Sequence, residues 1–144
     1  MKWKLLSLFL SACLVVLLVA FVSVKKTEPR FEAAKEIIVL RNIAHEVLQY
    51  SGDSNSRVLP VTRISANEFL LNFESPFSFK PDSLVRIIGD LIEANHLPRN
   101  YIVNVLESGT ENVVYGFAMF RHKQNNIVPC LGRDQPLKKY SINI

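Results

Sequence analysis

Leu5 to Val24 reads LLSLFLSACLVVLLVAFVSV, a run of 20 residues without a charge. At about 1.5 Å rise per residue such a run spans the roughly 30 Å hydrocarbon layer of a bilayer, so it predicts a single membrane-spanning helix. Ser7, Ser11 and Ser23 can return their hydroxyls to helix carbonyls and do not spoil the span. A chain of 144 residues has no interior large enough to surround that helix on every side.

Three readings of the segment compete. A cleaved secretory signal needs small residues at −3 and −1, and a cut after Ser23 puts Phe21 at −3. Leu10-Ser11-Ala12-Cys13 resembles a bacterial lipoprotein processing box, which makes Cys13 the lipidation candidate. Against that alternative, Leu14 to Val24 stays apolar where a lipoprotein usually places a polar tether. The favoured reading is an uncleaved anchor in residues 1–26, with one globular domain in residues 27–144. Lys2 and Lys4 before the span and Lys25, Lys26 and Arg30 after it leave the charge rule for orientation nearly balanced.

The formal charge of +4 divides unevenly. Residues 1–26 hold four Lys and no acid, residues 27–120 hold eight basic and twelve acidic residues, and residues 121–144 hold five basic and one acidic. That division argues against a uniformly basic nucleic-acid binder. The tail cations Arg121, Lys123, Arg133, Lys138 and Lys139 are spaced as a solvated edge.

Beyond the anchor, Phe31, Ala34, Ile37, Ile38, Ala44, Val47 and Leu48 recur at helical spacing, predicting an amphipathic helix from about Phe31 to Tyr50. Ser51 to Ser56 ends it with turn-forming residues. Strands are expected over Val58 to Ile64 and Glu68 to Glu74, joined by a turn at Ser65 to Asn67. Pro81-Asp82-Ser83 opens a second helix whose core face is Leu84, Val85, Ile88, Leu91 and Ile92, closed by Leu97-Pro98. A second hairpin, Tyr101 to Glu107 and Val113 to Arg121, and a final strand from Tyr140 to Ile144 complete the order. The expected fold class is α+β, with two hairpins flanking a helix and a short last strand in one antiparallel or mixed sheet.

Chemistry-bearing motifs are sparse. His45-Glu46 begins like a helical zinc box, but the position four residues on is Gln49, and one His cannot hold a catalytic zinc. Gly52-Asp53-Ser54 matches a serine-protease neighbourhood only in three letters. Neither phosphate-cradling nor Cys-x-x-Cys patterns occur, so neither a cofactor nor an enzymatic activity is expected. The distinctive stretch is Ile127 to Pro136, where Pro129 and Pro136 restrict the backbone, Gly132 permits an unusual turn, and Cys130, Arg133 and Asp134 offer functional groups. It reads either as a structural corner or as a recognition loop.

Several segments in order carry a resemblance: Ile43-Ala44-His45-Glu46-Val47-Leu48, Ser51-Gly52-Asp53-Ser54 with Arg57-Val58-Leu59-Pro60-Val61, Phe73-Glu74-Ser75-Pro76-Phe77-Ser78-Phe79 with Pro81-Asp82-Ser83-Leu84, Asn100 to Val105, and Pro129-Cys130-Leu131-Gly132-Arg133. Together they resemble the N-terminal half of membrane-bound winged-helix transcriptional regulators of Gram-negative bacteria. The resemblance implies an inner-membrane span leading to a periplasmic sensory domain, a returning span, and a cytoplasmic winged helix that binds DNA. It also implies a second Cys shortly before Tyr140, where this chain has Lys139, so that disulfide is missing. No second span or winged helix follows, so the chain is expected to be a truncated regulator or a surviving periplasmic module. It would contact no nucleic acid itself and would act through an unidentified protein or small-molecule signal. An envelope structural or assembly protein is the alternative.

Overall fold

A computed structural model describes residues 29–144 together with Trp3. The expected anchor and Cys13 lie outside the described residues, and no described helix is long and apolar enough to cross a membrane. The chain divides into two units, Met1–Ala33 and Ala34–Ile144. In the first, Phe31 is exposed.

Helix α1 covers Pro29–Tyr50. It ends because Gly52 adopts a φ of 85°, a conformation that costs glycine little. The amide of Gly52 then bonds the carbonyl of Gln49 at 3.0 Å, and that of Asp53 bonds Leu48 at 3.0 Å, which satisfies two carbonyls the helix leaves open. Asp53 turns the chain onward by accepting the amides of Asn55 and Ser56.

The α1 core face differs from the expected one. Val39, Leu40, Ile43, Ala44, Val47 and Leu48 are buried, whereas Ile38 is 68% exposed. Ile37 to Leu40 is apolar through a whole turn, so spacing alone leaves the buried face undecided, and packing against the sheet selects it.

Five strands follow in one sheet: β1 (Thr62–Ser65), β2 (Glu68–Asn72), β4 (Tyr101–Glu107), β5 (Val113–Met119) and β7 (Tyr140–Asn143). All neighbours are antiparallel, in the order β1-β2-β7-β4-β5. The last strand therefore lies between the two hairpins and joins them. The remaining two, β3 (Phe77–Phe79) and β6 (Gln135–Lys138), form a separate ribbon. The fold is α+β as expected, but the single sheet is corrected to two. The first expected strand is also shorter, because Pro60 has no amide to give a ladder; Val58 keeps only an isolated bridge to Phe73.

Strand alternation gives the large sheet two unlike faces. Phe69, Leu71, Val103, Val105, Tyr115, Phe117 and Ile142 are buried with the inner face of α1 and with Leu84, Ile88 and Ile92 of α2 (Pro81–Ala94). Each of the larger aliphatic side chains here contributes about 1.5–3 kcal/mol by leaving water. Phe77 and Phe79 cap this core from the ribbon, with their rings 5.4 and 5.3 Å from that of Tyr140. The opposite face carries Leu70, Asn72, Ile102, Asn104, Ser141 and Asn143.

Candidate functional site

β7 runs alongside β2 and β4 as far as Ile144. Phe69 and Ile144 exchange amide-to-carbonyl bonds of 2.8 and 2.9 Å, so Ile144 gives its backbone to the β2 side. By alternation Asn143 gives its own to β4, opposite Asn104. Two residues earlier on β4, Ile102 has the same orientation.

The other side of β4 confirms this orientation. Ile102 lies opposite Ala118 of β5, but Ala118 exchanges both of its backbone bonds with Ile127, at 2.9 Å each. The Ile102–Ala118 pair is thus the non-hydrogen-bonded kind, and the N–H and C=O of Ile102 point to the β7 side of β4.

Beside Asn143 and Ile144 lies a cavity of about 710 Å³. Asn67 and Glu68 form one wall and Asn100, Tyr101 and Ile102 the other. Leu40 from α1, with Ile92, Leu97 and Pro98 from the end of α2, supplies an apolar floor. Two carboxylates stand at the rim: Glu36, 3.2 Å from the Arg63 guanidinium, and Glu68, which accepts the Asn143 amide at 2.8 Å. Arg63 also stacks on Phe69, 4.4 Å from its centroid, which fixes the edge of this wall. Burial, then the nearby charges of Glu93 and Asp90, push the Tyr101 hydroxyl up to about 12. Tyr101 consequently stays a neutral phenol throughout the physiological range.

The floor depends on how α2 ends. His96 takes a φ of 57° and lets the Leu97 amide reach the Ile92 carbonyl at 3.0 Å, while its own amide bonds Glu93 at 3.2 Å. This is the same closure that ends α1, made with histidine in place of glycine. It brings Leu97 back onto Ile92.

Two smaller concavities lie elsewhere. One, of about 260 Å³, holds Arg86, Asp90, Glu93, Arg99, Arg121 and Lys123 beside Tyr101. The other, of about 460 Å³, runs along the outer face of α1 past Ile38, Arg41 and His45 to Arg57.

The expected recognition loop lies apart from all three. Pro129, Cys130, Gly132, Arg133 and Asp134 are exposed and line none of them. Cys130 has a φ of 49° and an exposed thiol. Irregular structure ends at Asp134, because Gln135–Lys138 is strand β6. Pro136 is therefore a strand residue, whose carbonyl accepts the Tyr140 hydroxyl at 2.8 Å. His45 bonds Gln49 at 2.9 Å on an exposed helix surface. Among the described residues no group of three or more His, Cys, Asp or Glu could hold a metal ion.

Sequence reasoning missed Asn67, Glu68, Ile102 and Asn104. The one available signal is polar residues inside otherwise apolar strands, Asn104 and Asn143 above all. Comparison with known protein families, characterised proteins and solved structures found no match.

Proposed function

We propose that this chain is a membrane-anchored, non-enzymatic sensory or protein-interaction domain of the bacterial periplasm. It acts in the manner of the one-component transmembrane regulators it resembles. The observation that carries this reading is the 710 Å³ cavity lined by residues of β2, β4, α1 and the end of α2. Its volume falls within the ~300–1,000 Å³ common to recognition sites, and its apolar floor with a few placed amides and carboxylates suits binding. Glu36 and Leu40 place α1 in its lining, and α1 follows the predicted anchor in sequence. Occupancy would bias the position of α1, and the linker would carry that bias to the membrane.

The test places a photoreactive residue singly at Ile38, Ile102 and Leu131 in the full chain and captures cross-linked partners in cells. Cross-links to a transcriptional or kinase component, with output lost when flexible residues are inserted between Lys26 and Pro29, are the expected result. Cross-links confined to envelope scaffold components, or output indifferent to the insertion, would assign the chain to envelope assembly instead.

A further inference from the structure

The geometry points to a binding site for a small organic anion in the cleft of about 260 Å³ between α2 and the end of β5. Its apolar body would lie against Gly89, and its carboxylate or phosphate head at Arg121 and Lys123. This goes beyond the proposed partner role and stands on a different cavity.

Gly89 is the first observation. It sits in the interior of α2, where glycine costs about 0.5–1 kcal/mol relative to alanine. Its backbone is not left-handed, and a Cβ added there would meet only the Tyr101 hydroxyl, at 3.6 Å, an ordinary contact. Neither conformation nor packing therefore asks for glycine at this position. The missing side chain instead leaves open space between the helix and a wall of Tyr101, Met119 and Phe120. A cavity of about 150 Å³ holds benzene, so this one takes a body of roughly ten non-hydrogen atoms.

Charge is the second observation. On the helix side Asp90 stands 3.9 Å from Arg86, and Glu93 stands 3.4 Å from Arg99, so both acids are already matched. Across the cleft, Arg121 and Lys123 line the site and form no ion pair among the described residues. The backbone that carries them is fixed from both sides. The Phe120 amide donates to Asn126 Oδ1 and the Arg121 amide to Asn100 Oδ1, at 2.9 Å each. Two unmatched cations on a fixed loop, beside apolar walls, complement an anionic head on an apolar body, and the fixed loop lowers the ordering cost of binding. A cationic ligand would find both acids engaged and two positive charges opposite.

The probes are phenyl phosphate and benzoate, titrated separately into the full chain in neutral detergent micelles while the Tyr101 and Phe120 amides are followed by NMR. At least one should saturate at about 1 mM or below, and the tighter of the two identifies the head group. Inorganic phosphate, a head without a body, and benzyl alcohol, a body without a charge, should each bind at least about tenfold more weakly. Arg121→Ala keeps the amide bond to Asn100 and should weaken binding about three- to tenfold at low salt, whereas Arg133→Ala, outside the cleft, should leave it unchanged. Gly89→Ala should weaken binding about two- to fivefold and Gly89→Leu at least about tenfold, while both raise the thermal midpoint, since each residue forms helix better than glycine. Saturation by neither probe overturns the proposal. So does inorganic phosphate or benzyl alcohol matching the probes, Arg133→Ala matching Arg121→Ala, or undiminished binding by the two Gly89 variants. Absence of ligand binding would leave the partner role standing, and absence of partner cross-links would leave this site standing.

Discussion

The Ser83 hydroxyl donates to the phenol oxygen of Tyr50 at 2.6 Å, tying the last residue of α1 to the first turn of α2. The two ends of this bond are unequal: Ser83 is buried, and Tyr50 is half exposed. Removing the serine leaves a phenol that water can reach, so Ser83→Ala should cost about 0.5–1.5 kcal/mol. Tyr50→Phe leaves the buried Ser83 hydroxyl only the longer contact to the Asp82 carboxylate, at 3.5 Å, and should cost more, about 1–3 kcal/mol. In a double-mutant cycle by denaturant unfolding, the pair should cost little more than Ser83→Ala alone; simple additivity would show that the bond is not made.

Glu74 and Arg57 form a second pairing, across the segment where Val58 meets Phe73. The guanidinium reaches Glu74 through two contacts of 2.8 and 3.2 Å, and the Arg57 amide adds a third at 3.1 Å. These bonds, the guanidinium's first, hold the Glu74 carboxyl down at about 2, from its usual 4.5. A depressed acid stabilises the fold above its unfolded value, and that contribution disappears as pH falls from 4.5 through about 2. Carboxyl NMR should give a Glu74 midpoint near 2, and Arg57→Ala should return it toward 4.5. A wild-type midpoint near 4 would mean that solvent breaks the fork.

Tyr115 lies in the core between Phe79 and Phe117, and its hydroxyl is buried with no hydrogen-bond partner among the described residues. An unpaired buried hydroxyl carries a desolvation cost, and phenylalanine keeps the ring packing without it. Tyr115→Phe should therefore raise stability by about 1 kcal/mol, read as a higher denaturation midpoint at unchanged slope. A loss of stability would reveal a partner for that hydroxyl.

Elements with strong local signals were legible in the sequence. Pro81-Asp82-Ser83 opens α2 where expected, and β4 runs from Tyr101 to Glu107 as read. The register of α1 was not, because Ile37 to Leu40 offers two apolar faces and only the sheet decides between them. The β3–β6 ribbon has three- and four-residue strands whose pairing, Phe77 with Lys138, spans most of the domain and leaves no local trace. The candidate site was hidden for the same reason. Ile102 is an ordinary strand residue until β7 is known to enter the sheet between β2 and β4, which brings it to one cavity with Glu68.

His96 closes α2 in a left-handed conformation that glycine adopts freely. A side chain there costs about 1–2 kcal/mol in contact with the backbone, and glycine gives back part of that gain through its greater freedom in the unfolded chain. The balance favours His96→Gly by about 0.5–1 kcal/mol, whereas His96→Val should destabilise, since a β-branched residue fits that region worst. The consequence reaches the cavity, because the same turn returns Leu97 to Ile92. A stabilised turn should slow hydrogen exchange of the Leu97 amide in His96→Gly and speed it in His96→Val. If thermal unfolding gave the opposite order, the histidine side chain would have to make a compensating contact outside the turn, and the floor of the cavity would depend on that contact instead of on the backbone.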